Sequence, residues 1–223
     1  MLLNSYIDHT LLKPTALISD IMQLCTEAAA YSFAAVCVPP PLVGNARKEL
    51  INTSVRTATV IGFPFGYANA AAKKAEAIQA MKDGADELDM VINIIALKNK
   101  AWNYVQSEIS ALTTLAHEQQ KLIKVIIESG VLSDEEIIRC CEICATAGVD
   151  FVKTSTGYAE KGASVEAVKL MRAHLPTNVR IKASGGIRTY DFAHELVLAG
   201  AERLGCSASV AIVEGSGKTG DGY

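Results

Sequence analysis

Three charged side chains stand inside short segments whose other residues predict buried β-strands. Asp89 lies in Glu-Leu-Asp-Met-Val-Ile, Lys153 in Phe-Val-Lys-Thr-Ser, and Lys182 in Arg-Ile-Lys-Ala-Ser. A lysine on such a strand loses hydration and must find a polar partner. Burial and a neighbouring cation both favour the neutral amine, so two such lysines would suit nucleophilic attack on a carbonyl.

This trio predicts Schiff-base chemistry. A free lysine amine has a pKa of about 10.4 and is protonated at neutral pH, so a second lysine helps to activate the first. Asp89 would offset part of the positive charge and carry protons. Alternatively, each lysine pairs with an acid or extends to the surface. Three such residues at separate strand ends favour the catalytic interpretation.

Glycines and hydroxyl groups after the last three predicted strands indicate a phosphate site. Segments 154–157 and 184–186 stand at the ends of strands six and seven, segment 205–207 closes strand eight, and a short helix is predicted over 208–213. Backbone N–H groups freed by glycine, and loops after strands seven and eight of a barrel, commonly hold a phosphate. Ordinary turn glycines are the alternative. The residues that we expect to bind the substrate and its phosphate are Thr154, Thr156, Gly157, Gly185, Gly186, Gly205 and Ser207.

Eight short apolar segments alternate with helical patterns, which implies a mostly parallel sheet. With eight strands, a closed (β/α)8 TIM barrel is favoured. An open doubly wound sheet is the alternative, but no G-x-G-x-x-G follows the early strands. We expect a single domain over 1–223, with a mobile C-terminal tail from about residue 214. The predicted strands are Ser5–His9, Ala34–Val38, Thr57–Gly62, Glu87–Asn93, Leu122–Glu128, Phe151–Ser155, Arg180–Ser184 and Arg203–Ser207.

Helical patterns fill the intervals between the strands. Segments 83–86, 147–150 and 199–202 each combine a helix end, a glycine suited to positive φ, and an acidic residue before the next strand, which indicates repeated βα units. The predicted helices are Ser19–Tyr31, with Ser19 as N-cap, Ala70–Lys82, Ala101–Gln119, Ser133–Ala147 with a capping box, Ser164–His174 and Asp191–Ala199.

Composition excludes several classes of function. The 223 residues carry a formal net charge of −3, which provides no field for nucleic acid. No run of about 18 apolar residues predicts a membrane span, and we expect no secretory signal. The six cysteines lie in apolar stretches, so we expect reduced thiols in the cytoplasm.

We expect no metal site. Cys141 and Cys144 could share a helix face, but zinc needs about four ligands and no other pair is nearby. Glu87 and Asp89 share a strand face, but Mg²⁺ would need further oxygen ligands. His9 could be catalytic or a satisfied core histidine, and we favour the core interpretation.

Several segments, in order along nearly the whole chain, resemble the deoxyribose-phosphate aldolase family. The most specific are Phe-Val-Lys-Thr-Ser-Thr-Gly (151–157) and Ile-Lys-Ala-Ser-Gly-Gly-Ile-Arg-Thr (181–189), and segments 7–14 and 84–91 agree with them. The resemblance implies a class I aldolase without a metal or other cofactor. It also implies reversible cleavage of 2-deoxy-D-ribose 5-phosphate to D-glyceraldehyde 3-phosphate and acetaldehyde, in deoxynucleoside catabolism, and a homodimer.

The resemblance further implies a role for each chemical residue. Lys153 would form the Schiff base, Lys182 would tune it, and Asp89 would donate and accept protons. Ala208 stands where family members often have a second serine, and Tyr158 stands where some have lysine, so we expect fewer phosphate contacts. Tyr223 resembles a C-terminal tyrosine that could fold over the site.

Two other functions stay open at this point. One is a different lysine-dependent barrel lyase acting on another phosphosugar, and the other is a non-catalytic protein that binds a sugar phosphate on the same fold. Cys37, on the second predicted strand, is either a small buried hydrophobe, which we favour, or a thiol open to reactive aldehydes.

Overall fold

A closed barrel of eight parallel strands forms the centre of the molecule, which is a computed structural model describing residues 1–215. Each strand pairs with its sequence neighbours, and β8 pairs with β1 to close the ring. The predicted (β/α)8 barrel is therefore confirmed. The strands are β1 Ile7–Thr10, β2 Ala35–Val38, β3 Arg56–Ile61, β4 Glu87–Val91, β5 Leu122–Ile126, β6 Phe151–Lys153, β7 Arg180–Ser184 and β8 Arg203–Cys206.

Three of these strands end two residues earlier than predicted. β4 ends at Val91, β5 at Ile126 and β6 at Lys153. On β5, the left-handed backbone of Glu128, with φ 56°, prevents further extension. The residues after these ends form the loops that surround the mouth of the barrel.

Nine α-helices occur in residues 1–215. Two were not predicted, because α2 and α4 have only seven and five residues, too few for apolar periodicity to stand out. The helices are α1 Ile18–Ala30, α2 Val43–Glu49, α3 Ala70–Lys82, α4 Ile94–Lys98, α5 Trp102–Glu118, α6 Asp134–Ala147, α7 Val165–His174, α8 Tyr190–Leu198 and α9 Ser209–Val213.

The repeated joints before β4, β6 and β8 have the expected geometry. Gly84, Gly148 and Gly200 have φ of 107°, 69° and 117°, in the region that glycine adopts without strain. The carboxylate of Asp86 accepts from the backbone of Thr57 at 3.1 Å. The first of these joints therefore ends a helix and also connects β4 to its neighbour β3.

The sequence predicted the N-terminal cap of α6 correctly but not that of α1. Ser133 caps α6, with the Glu136 N–H donating to the Ser133 hydroxyl at 3.3 Å and the Ser133 N–H donating to the Glu136 carboxylate at 2.9 Å. On α1 the prediction of Ser19 as N-cap was wrong. Leu17 is the N-cap, and its N–H donates to the Asp20 carboxylate at 2.9 Å.

Apolar side chains are divided between two clusters. The larger one fills the space between the strands and the surrounding helices. The smaller one comprises Leu12, Ala35, Cys37, Ala58 and Val60, which come from β2, β3 and the loop after β1. Small side chains on this wall leave room for the longer charged side chains of the opposite strands.

No helix in the described part of the chain is both long and apolar enough to cross a membrane. The predicted tail from about residue 214 and the Tyr223 prediction fall almost entirely outside the described residues.

Candidate active site

The three side chains predicted to do chemistry meet inside the barrel. The Asp89 Oδ2 atom accepts a hydrogen bond from Lys153 Nζ at 2.9 Å and from Lys182 Nζ at 2.7 Å. Lys153 and Lys182 are register partners on β6 and β7, so both project to the same side of the sheet. The three side chains are at most 3% exposed.

A third lysine belongs to the same group. Lys124 on β5 donates to the other Asp89 oxygen, Oδ1, at 2.6 Å, and its Nζ lies 2.6 Å from Glu87 Oε2. Lys124 stands in Leu-Ile-Lys-Val-Ile, the same kind of segment that identified the other two lysines. Sequence analysis overlooked it, although the signal was present.

Asp8 and Arg203 complete the buried network. Asp8 Oδ2 accepts from Lys182, and Asp8 Oδ1 accepts from Arg203 at 2.6 Å. Arg203 also donates to Glu87 at 3.2 Å. These contacts depend on the pairing of β1 with β8, which brings together residues 195 positions apart in the chain.

Burial gives Lys153 the properties expected of a nucleophile. It lowers the pKa of the Lys153 ammonium group, Asp89 opposes this effect, and the positive charge of Lys182 adds to it. The resulting pKa is below the usual value for lysine, so a larger fraction of Lys153 is neutral.

The pKa values of Lys182 and Asp89 shift in the directions that favour the charged form of each group. Burial alone would lower the pKa of Lys182, but Asp8 and Asp89 outweigh it and raise that pKa well above its usual value. Burial would raise the pKa of Asp89, but its three lysine neighbours hold it well below the usual range. Lys182 therefore stays protonated and Asp89 stays ionised.

The balance of charge also favours a neutral Lys153. Without Lys153, the buried network holds three carboxylates and three cations, and a protonated Lys153 adds an unbalanced positive charge that is costly in a low-dielectric interior. The carboxylates are Asp8, Glu87 and Asp89, and the cations are Lys124, Lys182 and Arg203.

Five of the seven residues predicted to bind substrate line one cleft at the mouth of the barrel. Its volume is about 210 Å³, and Arg188 contributes a guanidinium group that sequence analysis did not single out. A Cβ on Gly162 would lie 2.3 Å from the Gly185 carbonyl oxygen, so the cleft depends on close backbone approach. The five predicted residues are Gly157, Gly185, Gly186, Gly205 and Ser207.

The other two predicted residues, Thr154 and Thr156, do not line this cleft. The Thr154 hydroxyl donates to the Ser184 carbonyl oxygen at 3.1 Å, which connects the ends of β6 and β7. The Thr156 hydroxyl donates to Glu128 at 2.5 Å. Both threonines shape the loop after Lys153 rather than the surface of the cleft.

His9 is a satisfied buried side chain, as favoured from the sequence. Its Nε2 atom lies 2.8 Å from a Glu27 oxygen, and its Nδ1 atom lies 2.9 Å from the Ser209 hydroxyl. Both ring nitrogens therefore have partners.

The cysteines are free and buried. Cys37 is fully buried, and burial raises the pKa of its thiol to about 11, so it stays protonated at neutral pH. This burial agrees with the favoured interpretation of Cys37 as a small buried side chain, and the structure does not test its modification by aldehydes. Within residues 1–215, no group of three or more potential ligand side chains is placed to hold a metal ion.

A parallel barrel that buries a lysine of lowered pKa beside a charged lysine and a carboxylate defines a class of protein, the lysine-dependent barrel lyases. Comparison with known proteins narrows this class. A family model described as DeoC/LacD family aldolase matches residues 3–212. The chain belongs to this family, and the predicted aldolase, a carbon–carbon lyase, is confirmed.

Individual relatives agree with the family model. The deoxyribose-phosphate aldolase of Clostridium novyi is 48% identical over 223 residues, covering 100% of both chains. That of Thermococcus kodakarensis is 51% identical over 213 residues and covers 95% of each. A solved structure described as a tetrameric deoxyribose phosphate aldolase from Aeropyrum pernix is 34% identical, with a TM-score of 0.89 over 95% of this chain and 89% of that one.

Proposed function

We propose that this chain reversibly cleaves 2-deoxy-D-ribose 5-phosphate to D-glyceraldehyde 3-phosphate and acetaldehyde through a Schiff base on Lys153, as a step in deoxynucleoside catabolism. Its relatives of about half-identical sequence carry the name of this activity. The observation that carries the proposal is the buried amine of Lys153, with its lowered pKa, 2.9 Å from Asp89.

The reaction begins when the neutral Lys153 amine attacks the C1 aldehyde of the open-chain sugar. Loss of water from the carbinolamine gives an iminium ion, which draws electrons from the neighbouring C2–C3 bond. Lys182 is charged when Lys153 attacks, and its proximity favours the neutral form of the Lys153 amine.

Cleavage of the carbon–carbon bond follows. Removal of the C3 hydroxyl proton lets the C2–C3 electron pair move into the iminium system, which leaves an enamine on Lys153 and releases glyceraldehyde 3-phosphate. Protonation of the enamine at C2 and hydrolysis of the new iminium then release acetaldehyde. Asp89 accepts the C3 hydroxyl proton through a bridging water, and the adjacent Lys182 ammonium group donates a proton to C2. Transfer of the proton from Asp89 to Lys182, 2.7 Å away, then restores both charges.

The glycine-lined cleft receives the substrate phosphate. Gly185 and Gly186, with φ of 90° and 76°, allow a backbone curvature that other residues resist. Ser207 supplies a hydroxyl, and Arg188 supplies a positive charge suited to a phosphate. Ala208 cannot donate a side-chain hydrogen bond there.

A cleavage assay tests this function. Purified protein is incubated with 2-deoxyribose 5-phosphate, and both products are quantified. We expect equal amounts of the two products, and a loss of turnover of about 1000-fold or more in Lys153→Ala. Equal activity in Lys153→Ala would contradict the mechanism. Turnover of only another phosphosugar would favour the different lyase, and binding without turnover would favour the binding protein.

We also propose a homodimer in the cytoplasm. The resemblance to the family supports self-association, although the Aeropyrum pernix relative is described as a tetramer. Six free, buried cysteines suit a reducing compartment. Light scattering coupled to size-exclusion chromatography distinguishes a dimer from a monomer or a tetramer.

A further inference from the structure

Glu128 is a buried acidic side chain that the proposed mechanism does not use. It follows β5, is 4% exposed, and has a left-handed backbone with φ 56° and ψ 56°. A residue with a Cβ adopts this conformation uncommonly, and surrounding contacts must hold it there.

Those contacts come from the chain around Lys153. The Ile127 N–H donates to the Lys153 carbonyl oxygen at 3.0 Å, and the Ser129 N–H donates to the Thr154 carbonyl oxygen at 2.8 Å. The backbone on both sides of Glu128 is therefore fixed to the backbone of the proposed nucleophile and of the next residue.

The Glu128 carboxylate binds Thr156, which lies further along the loop that follows Lys153. It accepts from the Thr156 hydroxyl at 2.5 Å and from the Thr156 N–H at 3.2 Å. The Thr156 hydroxyl oxygen in turn accepts from the Tyr158 N–H at 3.0 Å. These bonds fix the backbone on both sides of Gly157.

A second anchor holds the loop from the other side. The Ser184 hydroxyl donates to the Ser155 carbonyl oxygen at 2.6 Å, and the Ser184 N–H donates to the Thr154 hydroxyl at 3.1 Å. Ser184 thus holds the first two residues of the loop, and Glu128 holds the third.

We propose that Glu128 is a positioning residue, which fixes Gly157 and the phosphate cleft at a set distance from Lys153. Gly157 lines the cleft, only four residues after the nucleophile. Binding energy from a remote phosphate accelerates a reaction only when the phosphate site and the reacting group are held in the correct relation. Glu128 would maintain the distance between the phosphate cleft and Lys153 for phosphorylated substrates, so the inference rests on the proposed function.

The test compares a phosphorylated with an unphosphorylated substrate. Glu128→Gln keeps the size of the side chain but has one acceptor oxygen in place of two. We expect kcat/KM for 2-deoxyribose 5-phosphate to fall about tenfold, the effect of losing a hydrogen bond to a charged group. Removal of the Glu128 charge near Lys153 would affect both substrates alike, and 2-deoxyribose has no phosphate to position. The ratio of kcat/KM for the phosphorylated sugar to that for the unphosphorylated sugar should therefore fall about tenfold.

A matched control separates positioning from general stability. Glu108 is also a buried glutamate, paired with Lys73 at 2.9 Å, but it lies on α5, away from the loop. Glu108→Gln should lower the melting temperature and leave the ratio of the two kcat/KM values unchanged. If Glu128→Gln does not fold, Thr156→Val should lower the ratio, and Thr156→Ser, which keeps the hydroxyl, should restore it.

The proposal is overturned if Glu128→Gln leaves the ratio unchanged, including an equal loss on both substrates. A wild-type protein that does not cleave 2-deoxyribose 5-phosphate contradicts the proposed function instead. In that case, calorimetric titration with inorganic phosphate decides the role of Glu128, because the positioning role predicts about tenfold weaker binding in Glu128→Gln and an unaltered affinity contradicts it.

Discussion

At the scale of residues, the central feature is the division of charge between two buried lysines that share one carboxylate oxygen. Both lie within 3 Å of Asp89 Oδ2, yet their pKa values move in opposite directions. The difference arises because Lys182 also contacts Asp8, whereas Asp89 is the only carboxylate of the described residues within ion-pair distance of Lys153. One lysine can therefore stay charged while its neighbour is deprotonated.

Lys182→Met tests this division. Lys153 must be neutral to attack, so the rate falls as the pH drops through its pKa. Loss of the neighbouring cation raises the pKa of Lys153 and also leaves Asp89 to attract it more strongly. We expect the acid limb of the kcat/KM profile to move to higher pH by about 1 to 2 units.

Lys121→Met is the matched control for this change. Lys121 pairs with Asp86 before β5 begins, at the end of the barrel away from the site, and its loss should leave the profile in place. An acid limb that does not move in Lys182→Met would show that Lys182 does not tune Lys153.

At the scale of elements, β8 leaves space for the Lys182 side chain. Gly205 pairs with Ser184 of β7, and a Cβ on Gly205 would lie 2.9 Å from the Ser184 Cβ and 3.1 Å from the Lys182 Cε. The glycine thus serves the lysine as well as the phosphate cleft. Its φ is not in the left-handed region, so the requirement is one of space.

Gly205→Ala should therefore displace the Lys182 ammonium group. We expect kcat to fall about 10- to 100-fold, as for other small displacements of catalytic groups. Gly44→Ala on α2 is the control, because its nearest neighbour would lie 3.9 Å away, and it should stabilise the helix by about 0.5–1 kcal/mol. Steady-state kinetics and thermal unfolding measure both variants, and an unchanged kcat in Gly205→Ala would contradict the steric argument.

At the scale of the whole molecule, the barrel interior couples stability to pH. The pKa values of Asp8 and Asp89 are lowered: burial opposes the shift, and neighbouring cations outweigh it. Groups with a depressed folded-state pKa stabilise the fold above their unfolded pKa, and this contribution is lost as the pH falls. Glu108 and Glu128 have raised pKa values, chiefly through burial, and act in the opposite direction.

We expect the aspartates to dominate, because several cations surround each of them. The free energy of unfolding, from urea titrations, should therefore fall steadily below about pH 5. Asp8→Asn should reduce this pH dependence while lowering stability at neutral pH, since Arg203 and Lys182 lose a partner. A free energy of unfolding that is constant from neutral pH to about pH 3 would contradict the assignment.

Sequence reasoning succeeded where a local pattern carries the information. A lysine within an apolar strand is unusual enough to identify Lys153 and Lys182, and alternating strands and helices led to the barrel. Asp8 and Arg203 carry no comparable local signal, because their partners are set by closure of β1 on β8. Glu128 was missed for a similar reason, because it follows β5 and its partner Thr156 follows β6.

Trapping of the Schiff base shows directly whether Lys153 is the nucleophile. The protein is incubated with acetaldehyde, reduced with borohydride, digested, and mapped by mass spectrometry, with Lys153→Ala treated in parallel. We expect a reduced adduct on Lys153 in the wild-type chain and none at that position in the variant. An adduct confined to Lys124 or Lys182, or no adduct on a folded protein while a control aldolase is labelled, would contradict it.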